Sequence, residues 1–313
     1  MRVLITGSSG LVGSALRAHL EKSGHAVIRL VRRAPRDASE LEWDPVAAEM
    51  PLATREGLLG LDAVVHLAGA NIADGRWTTK RKQVLESSRV LGTALLARTL
   101  ASLEDKPAVM VCGSAVGIYG DRGANWVDSA SLPGSGFLAE LCKRWEAAAD
   151  PAREAGIRVA HMRFGVILDP KQGALAKMLI PFRLGLGAPF GKGAQYMSWI
   201  AAADVVGVLL HVIEREELSG PIDTVAPHPV TNLEFSMALA GVYKHKVRLR
   251  IPKFAVRVLF GELADELLLG GQRVRPTELL RSGYNFELPE LVQALRTILD
   301  RPKRDWFEEP PAE

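Results

Sequence analysis

The sequence predicts an α/β fold in which a doubly wound parallel sheet is joined to a smaller, mostly helical C-terminal lobe. Near the N-terminus, a short apolar run is followed at once by three glycines three residues apart and then by apolar residues at helical spacing. Apolar β-runs and helical segments alternate as far as Phe164, which is typical of βαβ units with helices on both faces of a parallel sheet. Beyond Phe164 the chain is rich in glycine and then mostly helical, which predicts the second lobe.

The residues from Val3 to Gly13 form the first predicted strand, a glycine turn and the start of the first helix. Glycine permits a tight turn and a close backbone approach that a Cβ would block, and the free N–H groups of a helix N-terminus attract an anion. Three glycines alone also fit an ordinary turn, but their place between a strand and a helix favours a site for the pyrophosphate of a dinucleotide. The cofactor-binding candidates here are Gly7, Ser9, Gly10, Leu11, Val12 and Gly13.

The end of the second predicted strand indicates which dinucleotide binds. Gly24 is expected to end the first helix, and residues 25–31 form a strand that is followed by Arg32 and Arg33. Dinucleotide-binding folds usually place a carboxylate here, which would repel a 2′-phosphate, whereas guanidinium groups bind a phosphate through charge-assisted hydrogen bonds. The two arginines therefore predict NADP(H) over NAD(H), the alternative being a pair of solvated side chains.

A strand and a long helix continue the pattern. Residues 34–60 have mixed polarity and are expected to be a connecting segment. Thr78 or Thr79 can cap a helix that runs to about Leu100. Residues 62–67 form a strand that ends in small residues, which let the backbone lie against a cofactor, and the candidates there are Leu67, Ala68 and Gly69.

The last predicted elements of the sheet domain are a strand at 108–112 that leads to Ser114, a helix at 137–149 and a strand at 157–164. Ligands of such sheets bind beyond the carboxyl ends of the strands. The residues at those ends, which we expect to meet at one edge of the sheet, are Gly7, Arg32, Ala68 and Ser114.

The second half of the chain predicts a lobe that completes the site. Residues 171–199 suit a lid or substrate loop, because they are rich in glycine. A helix at 203–214 and a strand at 222–226 return the chain to the sheet, and residues 230–300 are mostly helical. The predicted division is an NADP(H)-binding domain of residues 1–170 and 200–227, a substrate lobe of residues 171–199 and 228–300, and a tail of residues 301–313.

Composition narrows the function classes. The 313 residues include 39 Lys and Arg against 36 Asp and Glu, and this near balance does not indicate nucleic-acid binding. The chain has two cysteines, Cys112 and Cys142, with no metal-type spacing, which favours a reducing compartment and argues against a disulfide framework. We expect no cleavable leader, and no apolar run has the length of a membrane span. The sequence thus predicts a cytoplasmic protein with a small-molecule substrate, no metal, no membrane or nucleic-acid partner, and the option of forming a homo-oligomer.

The order of motifs along nearly the whole chain shows a family resemblance. These motifs are Thr6 to Gly13, His66-Leu67-Ala68-Gly69, Ser87-Ser88-Arg89, Ser114 with Tyr119-Gly120-Asp121-Arg122-Gly123, Phe137-Leu138-Ala139, Trp145-Glu146, Pro181 to Gly187, Ser198-Trp199-Ile200 and Gly271-Gln272-Arg273-Val274. In them the chain resembles the short-chain dehydrogenase/reductase superfamily in its extended form, and within it the branch named epimerase family protein, which is described as sugar-nucleotide epimerase-like. The resemblance implies a Rossmann-type domain that binds NADP(H) and a C-terminal substrate lobe.

The catalytic residues depart from that superfamily. Its ordinary members act through a Ser, a Tyr and a Lys four residues after the Tyr, a spacing that places the last two on one helix face. The Lys holds the nicotinamide ribose and lowers the pKa of the Tyr, which makes the phenol a useful acid or base. The corresponding positions here hold Leu138 and Cys142, so the usual mechanism is missing.

Other residues are therefore candidates for the chemistry. Ser114 can bind a substrate oxygen and the cofactor, and Tyr119 is the first candidate for proton transfer, the alternative being a packing tyrosine. Arg89 stands where ordinary members have Asn, so its charge can replace that of the Lys beside the cofactor, the alternative being a solvated helix residue. Cys142 is a nucleophile only if its pKa is lowered.

Two functions of different class follow from these residues. The first is an NADP(H)-dependent oxidoreductase or epimerase in which Ser114 orients the oxygen of an unknown carbonyl or hydroxyl substrate and Tyr119 or a water molecule moves the proton. The second is an NADP(H)-binding sensor or scaffold without turnover, which the loss of the Tyr and the Lys favours.

Overall fold

The structure is a computed structural model that describes residues 1–300, and the predicted tail, residues 301–313, lies outside the described residues. The strands are β1 (Arg2–Thr6), β2 (Ala26–Val31), β3 (Glu40–Glu42), β4 (Ala63–His66), β5 (Val109–Ala115), β6 (Trp126–Val127), β7 (Arg158–Phe164), β8 (Val166–Leu168), β9 (Tyr196–Met197), β10 (Trp199–Ala201), β11 (Gly220–Thr224), β12 (Val230–Thr231) and β13 (Arg273–Val274). The helices are α1 (Leu11–Lys22), α2 (Leu52–Gly57), α3 (Thr79–Ala101), α4 (Phe137–Ala147), α5 (Asp150–Glu154), α6 (Gly173–Arg183), α7 (Ala202–Glu214), α8 (Asn232–Val242), α9 (Lys253–Phe260), α10 (Thr277–Arg281) and α11 (Leu291–Asp300). A 3₁₀ turn lies at Val116–Tyr119 and a π-helical turn at Ala264–Leu269.

The main sheet of the described residues is parallel and has the strand order β11-β7-β5-β4-β1-β2-β3. From β1 the chain moves outwards through β2 and β3, and it then returns to place β4 on the other side of β1. The strand order therefore changes direction beside β1, and the carboxyl ends at such a point form the usual ligand crevice of an open α/β sheet. The parallel α/β fold predicted from the sequence is confirmed.

Two apolar cores cover the two faces of this sheet. The core on one face packs α1 and α7 against the strands, with Leu16 and Val205 buried beside Ile5. The core on the other face is built around α3 and includes Leu96 and Leu4. Neighbouring residues of β1 thus enter opposite cores, as the pleat of a strand covered on both faces requires.

A third core lies in the lobe that follows the sheet. It is formed mainly by α6, α8 and α11, and it includes Phe182, Phe235 and Leu295, all buried. Three short strand pairs, β8 with β10, β9 with β12, and β6 with β13, tie segments that are distant in sequence together. Within residues 1–300, no helix is long and apolar enough to cross a membrane.

The first helix ends as the sequence predicts. Its last helical residue is Lys22, and Gly24 adopts a φ of 76°. The amide of His25 donates to the carbonyl of Leu20 at 2.9 Å, which closes the helix end in the manner of a glycine C-cap. This turn aims the chain directly into β2.

The segment 34–60 is more regular than the connecting segment that we expected, because it contains β3 and α2. The strand β3 has the sequence Glu-Leu-Glu, which has no apolar run to predict it. Its Glu40 is nevertheless buried, since its carboxylate pairs with Arg29 and Arg33. Ion pairing therefore lets a charged residue occupy the edge of the sheet.

Candidate functional site

The glycine turn after β1 has no room for side chains at two of its positions. Gly7 has a φ of 68°, and a Cβ there would lie 2.8 Å from the carbonyl carbon of Leu67. A Cβ on Gly13 would lie 2.3 Å from the carbonyl oxygen of Gly7. The amide of Gly10 donates to the same Gly7 oxygen at 3.0 Å, which closes the turn. The three glycines thus bring strand β1, the segment after β4 and helix α1 into close backbone contact.

Helix α1 begins without a side chain to satisfy its first amides. Its N-cap is Gly10, no side chain caps it, and its first turn contains no acidic residue. The helix start therefore offers N–H donors and the positive end of the helix dipole to an anion. A cavity of ≈ 210 Å³ lies against it, lined by Gly7, Gly10, Leu11, Val12, Gly13, Leu67, Gly113, Trp145 and Phe164. The structure brings the predicted glycine-turn residues together there, except Ser9, which is exposed on the turn.

A buried hydrogen-bond chain fixes the wall of this cavity. Thr6 Oγ1 accepts hydrogen bonds from the amides of Leu67 and Ala68, both at 3.1 Å. Since these bonds use both of its lone pairs, its proton is donated to His66 Nδ1 at 2.8 Å. His66 is thus the neutral tautomer with the proton on Nε2, and it donates to Thr93 Oγ1 at 2.9 Å. Burial lowers the pKa of His66 to about 4, which agrees with a neutral ring.

The hydrogen-bond chain ends at Trp145, a residue that lines the cavity. Trp145 Nε1 donates to Thr93 Oγ1 at 3.0 Å, and the indole lines the cavity. One line of side chains therefore connects β1, β4, α3 and α4. Because Trp145 donates to the Thr93 oxygen that also accepts from His66, the fold sets the orientation of the Trp145 ring before any ligand arrives.

The two arginines after β2 differ in what they already bind. Arg33 donates to both oxygens of Glu40 at 2.6 Å, and Glu40 also pairs with Arg29 at 3.0 Å. The hydrogen bond from Arg33 and its other donors lower the pKa of Glu40 to about 2. Arg32 is exposed and forms no ion pair within the described residues. Both arginines lie at the carboxyl end of β2. Of the two, only Arg32 has a guanidinium that is not paired with a carboxylate within the described residues.

Arg89 reaches the same edge of the sheet from α3. Its Cζ would lie 3.3 Å from a Cβ on Gly69, and it stands 5.0 Å from the ring centroid of Trp145. Its Nη1 donates to the carbonyl of Leu85 at 3.2 Å. Burial lowers the pKa of Arg89, and no carboxylate in residues 1–300 pairs with it. The predicted candidates Gly69 and Arg89 are therefore in direct contact beside the cavity.

Ser114 is buried at the carboxyl end of β5, next to Gly113 of the cavity wall. Its Oγ donates to Glu146 Oε1 at 2.6 Å. Arg163 donates two hydrogen bonds to the same carboxylate, from Nε to Oε1 and from Nη2 to Oε2, both at 2.9 Å. Burial opposes ionisation of Glu146, but the hydrogen bonds from Arg163 outweigh it and lower the pKa of the carboxyl. An ionised Glu146 therefore holds the Ser114 proton and leaves the oxygen lone pairs for a ligand that donates.

Tyr119 has no exposed surface, which corrects the expectation that it moves a proton for a substrate. Its hydroxyl donates to Asp223 Oδ1 at 2.7 Å and accepts a hydrogen bond from Arg163 Nη1 at 2.9 Å. Burial raises the pKa of the Tyr119 phenol well above its ordinary value, and it raises the pKa of Asp223 to about 7. The phenol is thus held within the fold and does not line the cavity.

Glu146, Arg163 and Asp223 form a polar group that the sequence did not predict. The sheet register places Ser114, Arg163 and Asp223 beside one another on β5, β7 and β11. One signal was present: β7 and β11 are largely apolar strands that contain the charged residues Arg163 and Asp223, and a buried charge needs a partner. Opposite charges on strands that become neighbours indicate an ion-paired network, but the neighbours are known only once the strand order is known.

Comparison with known proteins agrees with this geometry. The family model described as "NAD dependent epimerase/dehydratase family" matches residues 3–225, which include the glycine turn and every strand of the main sheet. The chain belongs to this family. A second model, described as a domain of unknown function (DUF1731), matches residues 251–298 in the C-terminal lobe.

Relatives extend the match to nearly the full chain. Epimerase family protein Mb2239 of Mycobacterium bovis is 44% identical over 300 residues, which are 96% of this chain and 98% of the relative. A crystal structure of human epimerase family protein SDR39U1 (isoform 2) with NADPH has a TM-score of 0.86 and 34% identity, and the match covers 96% of this chain and 99% of that one. A nucleoside-diphosphate sugar epimerase from Corynebacterium glutamicum has a TM-score of 0.78 and 36% identity, over 94% of this chain and 57% of that one. The family resemblance based on the motifs is thereby confirmed.

The two positions that correspond to the usual Tyr and Lys, according to the sequence resemblance, hold buried residues of low polarity. Leu138 and Cys142 are both buried on α4. Burial raises the pKa of the Cys142 thiol to about 12, so the sulfur is protonated at neutral pH and is not an activated nucleophile. The helix therefore supplies neither a proton donor nor a cation from these two positions.

Proposed function

We propose that the protein is an NADP(H)-binding oxidoreductase or epimerase that acts on a carbonyl or hydroxyl substrate without a Tyr–Lys pair. The observation that carries the proposal is the start of α1, which has no side-chain cap and faces a cavity where Gly7 and Gly13 have no room for a Cβ. The human relative crystallised with NADPH supports the choice of cofactor.

The residues of the chain fit such a cofactor. The amides at the start of α1 suit its pyrophosphate, because they are hydrogen-bond donors at the positive end of a helix dipole. The exposed guanidinium of Arg32 suits the 2′-phosphate, and Glu40 holds Arg33 beside it. On the other side of β1, Gly113, Trp145 and the neighbouring cavity residues offer an apolar wall to the nicotinamide half.

The chemistry divides between cofactor and protein. When bound, NADP(H) supplies hydride transfer at nicotinamide C4. Because its own proton is donated to Glu146, Ser114 orients the hydroxyl form of the substrate by accepting a hydrogen bond from it. Because Tyr119 is buried, we assign the proton transfer to a water molecule.

The first test is the difference between the two nicotinamide cofactors. NADPH is expected to raise the melting temperature more than NADH does, since only NADPH carries the 2′-phosphate that Arg32 can bind. Each charge-assisted hydrogen bond contributes about 1.5–3 kcal/mol, so Arg32→Ala should weaken NADPH binding roughly tenfold to a hundredfold and leave NADH binding unchanged. Arg215→Ala is the control, because Arg215 is an exposed arginine directly after α7. Equal responses of the wild type to NADPH and NADH contradict the assignment.

A second candidate is an NADP(H)-binding sensor or scaffold without turnover. Three observations favour it: Leu138 and Cys142 are inert, Tyr119 is buried, and the proton of Ser114 is bound to Glu146. An activity screen separates the enzyme from the sensor. Carbonyl compounds and nucleotide sugars are tested as substrates, with NADPH absorbance to detect oxidation or reduction and product analysis to detect isomers. Turnover that depends on Ser114 supports the enzyme, whereas NADPH binding without turnover across the screen supports the sensor.

A further inference from the structure

The C-terminal lobe carries a concentration of positive charge that the balanced composition of the whole chain conceals. Between Glu234 and Glu262 the sequence contains six Lys and Arg and no acidic residue, whereas the complete chain has a net charge of only +3. Arg257 on α9 pairs with Asp265 at 2.9 Å. The other five lie in residues 244–253, the basic stretch, where they are exposed and form no ion pair within residues 1–300: Lys244, Lys246, Arg248, Arg250 and Lys253.

Apolar side chains are exposed beside these cations, on α9. Val256 faces inward and is buried, whereas Phe254 and Val258 are 70% and 66% exposed. These two residues are four positions apart, so they share the helix face that lies opposite Val256. A helix on the surface of a globular protein normally shows the reverse arrangement, with its apolar stripe turned towards the core. The outer face of α9 is therefore a surface that another apolar body can cover.

The fold joins the basic stretch and α9 into one continuous surface. His245 donates from Nε2 to the carbonyl of Arg183, at the end of α6, with a distance of 3.2 Å. The amide of Ile251 donates to the carbonyl of Pro189 at 3.0 Å. Residues 246–250 are held between these two anchors, along the segment that follows α6, and the chain then leads directly into α9.

Cations beside exposed apolar side chains match the chemistry of an anionic lipid bilayer. Helices that lie on a membrane surface use Lys and Arg to contact anionic headgroups, and they use Phe and other apolar residues to enter the boundary of the acyl chains. A nucleic acid would use the cations but not Phe254 and Val258, because its phosphates are contacted by polar donors. A second copy would bring two equally basic surfaces together in a symmetric contact, which like charges oppose.

We infer that α9 and the basic stretch bind the surface of an anionic lipid bilayer, with Phe254 and Val258 entering its apolar boundary while the Lys and Arg side chains contact its headgroups. The inference does not rest on the proposed function, since it uses no residue of the cavity. It differs from the expectation of no membrane partner, because that expectation was drawn from the charge of the whole chain and from the length of its apolar runs.

Co-sedimentation with phospholipid vesicles tests the inference. The wild type is expected to bind vesicles made of equal parts of phosphatidylserine and phosphatidylcholine, and to bind vesicles of phosphatidylcholine alone much more weakly. Added salt should release the protein from the anionic vesicles, because it screens the attraction between exposed charges.

The contribution of the cations is measured with a triple variant of the basic stretch, Lys246→Gln, Arg248→Gln and Arg250→Gln. Each cation near an anionic bilayer is worth about fivefold in affinity, so this variant should bind roughly a hundredfold more weakly. The matched control removes the same net charge at three exposed positions of the sheet domain and should stay close to the wild type. Its changes are Arg98→Gln, Lys106→Gln and Arg215→Gln.

The apolar contribution is measured with a double variant of α9, Phe254→Ser and Val258→Ser, which keeps every charge. It should bind anionic vesicles about tenfold more weakly or worse, because a phenyl ring and an isopropyl group no longer leave water. Leu132→Ser is the control, since Leu132 is also an exposed apolar residue but lies in the loop before α4. It should bind as the wild type does.

The remaining outcomes overturn the inference. Binding to neither kind of vesicle, equal binding to both kinds, or equal losses in the variants and their controls contradicts it. A dimer in sedimentation equilibrium that the α9 variant dissociates assigns the face to a second copy. Binding to duplex DNA that survives the α9 change and not the triple change assigns it to nucleic acid. NADPH binding is measured separately, so a protein that binds anionic vesicles without binding NADPH contradicts the proposed function alone.

Discussion

Acidification should destabilise the protein through one buried histidine. His66 has no exposed surface, accepts a hydrogen bond from Thr6 at Nδ1 and donates one from Nε2 to Thr93, so its folded form is neutral. Burial lowers its pKa to about 4, against an ordinary value of 6.5. Between these two values the unfolded chain binds a proton that the folded chain does not, so this contribution to stability is complete above pH 6.5 and is lost progressively as the pH falls towards 4.

The magnitude follows from the two pKa values. One unit of difference is worth about 1.4 kcal/mol, so the full loss is about 3 kcal/mol and the loss between pH 7.5 and pH 5 is about 2 kcal/mol. The burial of the ring means that solvent screening does not reduce this figure. Other groups titrate in the same range, and Asp223, whose pKa is raised to about 7, acts in the opposite direction. A comparison with a variant at position 66 is therefore needed.

His66→Gln is the matched variant, because a carboxamide can accept from Thr6 and donate to Thr93 but does not titrate. Urea unfolding of both proteins at pH 7.5, 6.5, 5.5 and 5 gives the free energy of unfolding at each pH. The wild type should lose about 2 kcal/mol more than His66→Gln over this range, since contributions common to both proteins cancel. Parallel pH profiles of the two proteins would refute the assignment of a neutral, doubly bonded His66.

Three further outcomes test the surroundings of the site. Gly13→Ala places a Cβ 2.3 Å from a carbonyl oxygen and should abolish NADPH binding in calorimetry, whereas Gly241→Ala, with nothing within 4 Å of the new Cβ, should bind normally. Tyr119→Phe removes a buried donor and should lower the urea-unfolding free energy by about 1–3 kcal/mol without changing NADPH affinity, and the reverse pattern would return Tyr119 to the site. Cys112 and Cys142, whose pKa values burial raises to about 12, should resist iodoacetamide at pH 8 until urea unfolds the chain, as mass spectrometry can show.

Much of the fold could be predicted because its signals are local. The apolar runs of β1 and β4 and the C-cap at Gly24 are properties of a few consecutive residues, and Thr78 caps α3 as expected. The edge strand β3 could not be predicted, because Glu40 is buried only through its partners Arg29 and Arg33. Similarly, β5 extends to Ala115, beyond the predicted end at 112, because Gly113 and the residues after it continue to pair with β7.

The site residues also differ in whether their signals are local in the sequence. The glycine turn could be predicted, since strand, turn and helix are contiguous, and the small residues after β4 could be predicted for the same reason. The network around Ser114 could not, because Glu146 follows it by 32 residues on a helix and Asp223 comes from a strand at the far edge of the sheet. Whether Tyr119 is a surface group or a buried one depends on that network, and the motif that contains it is the same in either case.

The uncapped start of α1 has a consequence for the amount of protein in a cell. A helix that leaves its first amides to a ligand is completed by that ligand, so NADPH at a hundred times its dissociation constant would add about 2.7 kcal/mol to stability and lower the unfolded population roughly a hundredfold. Quality-control proteases act on that unfolded population. When NADPH is scarce, the chain would be degraded faster, and its steady-state level would follow the reducing capacity of the cell.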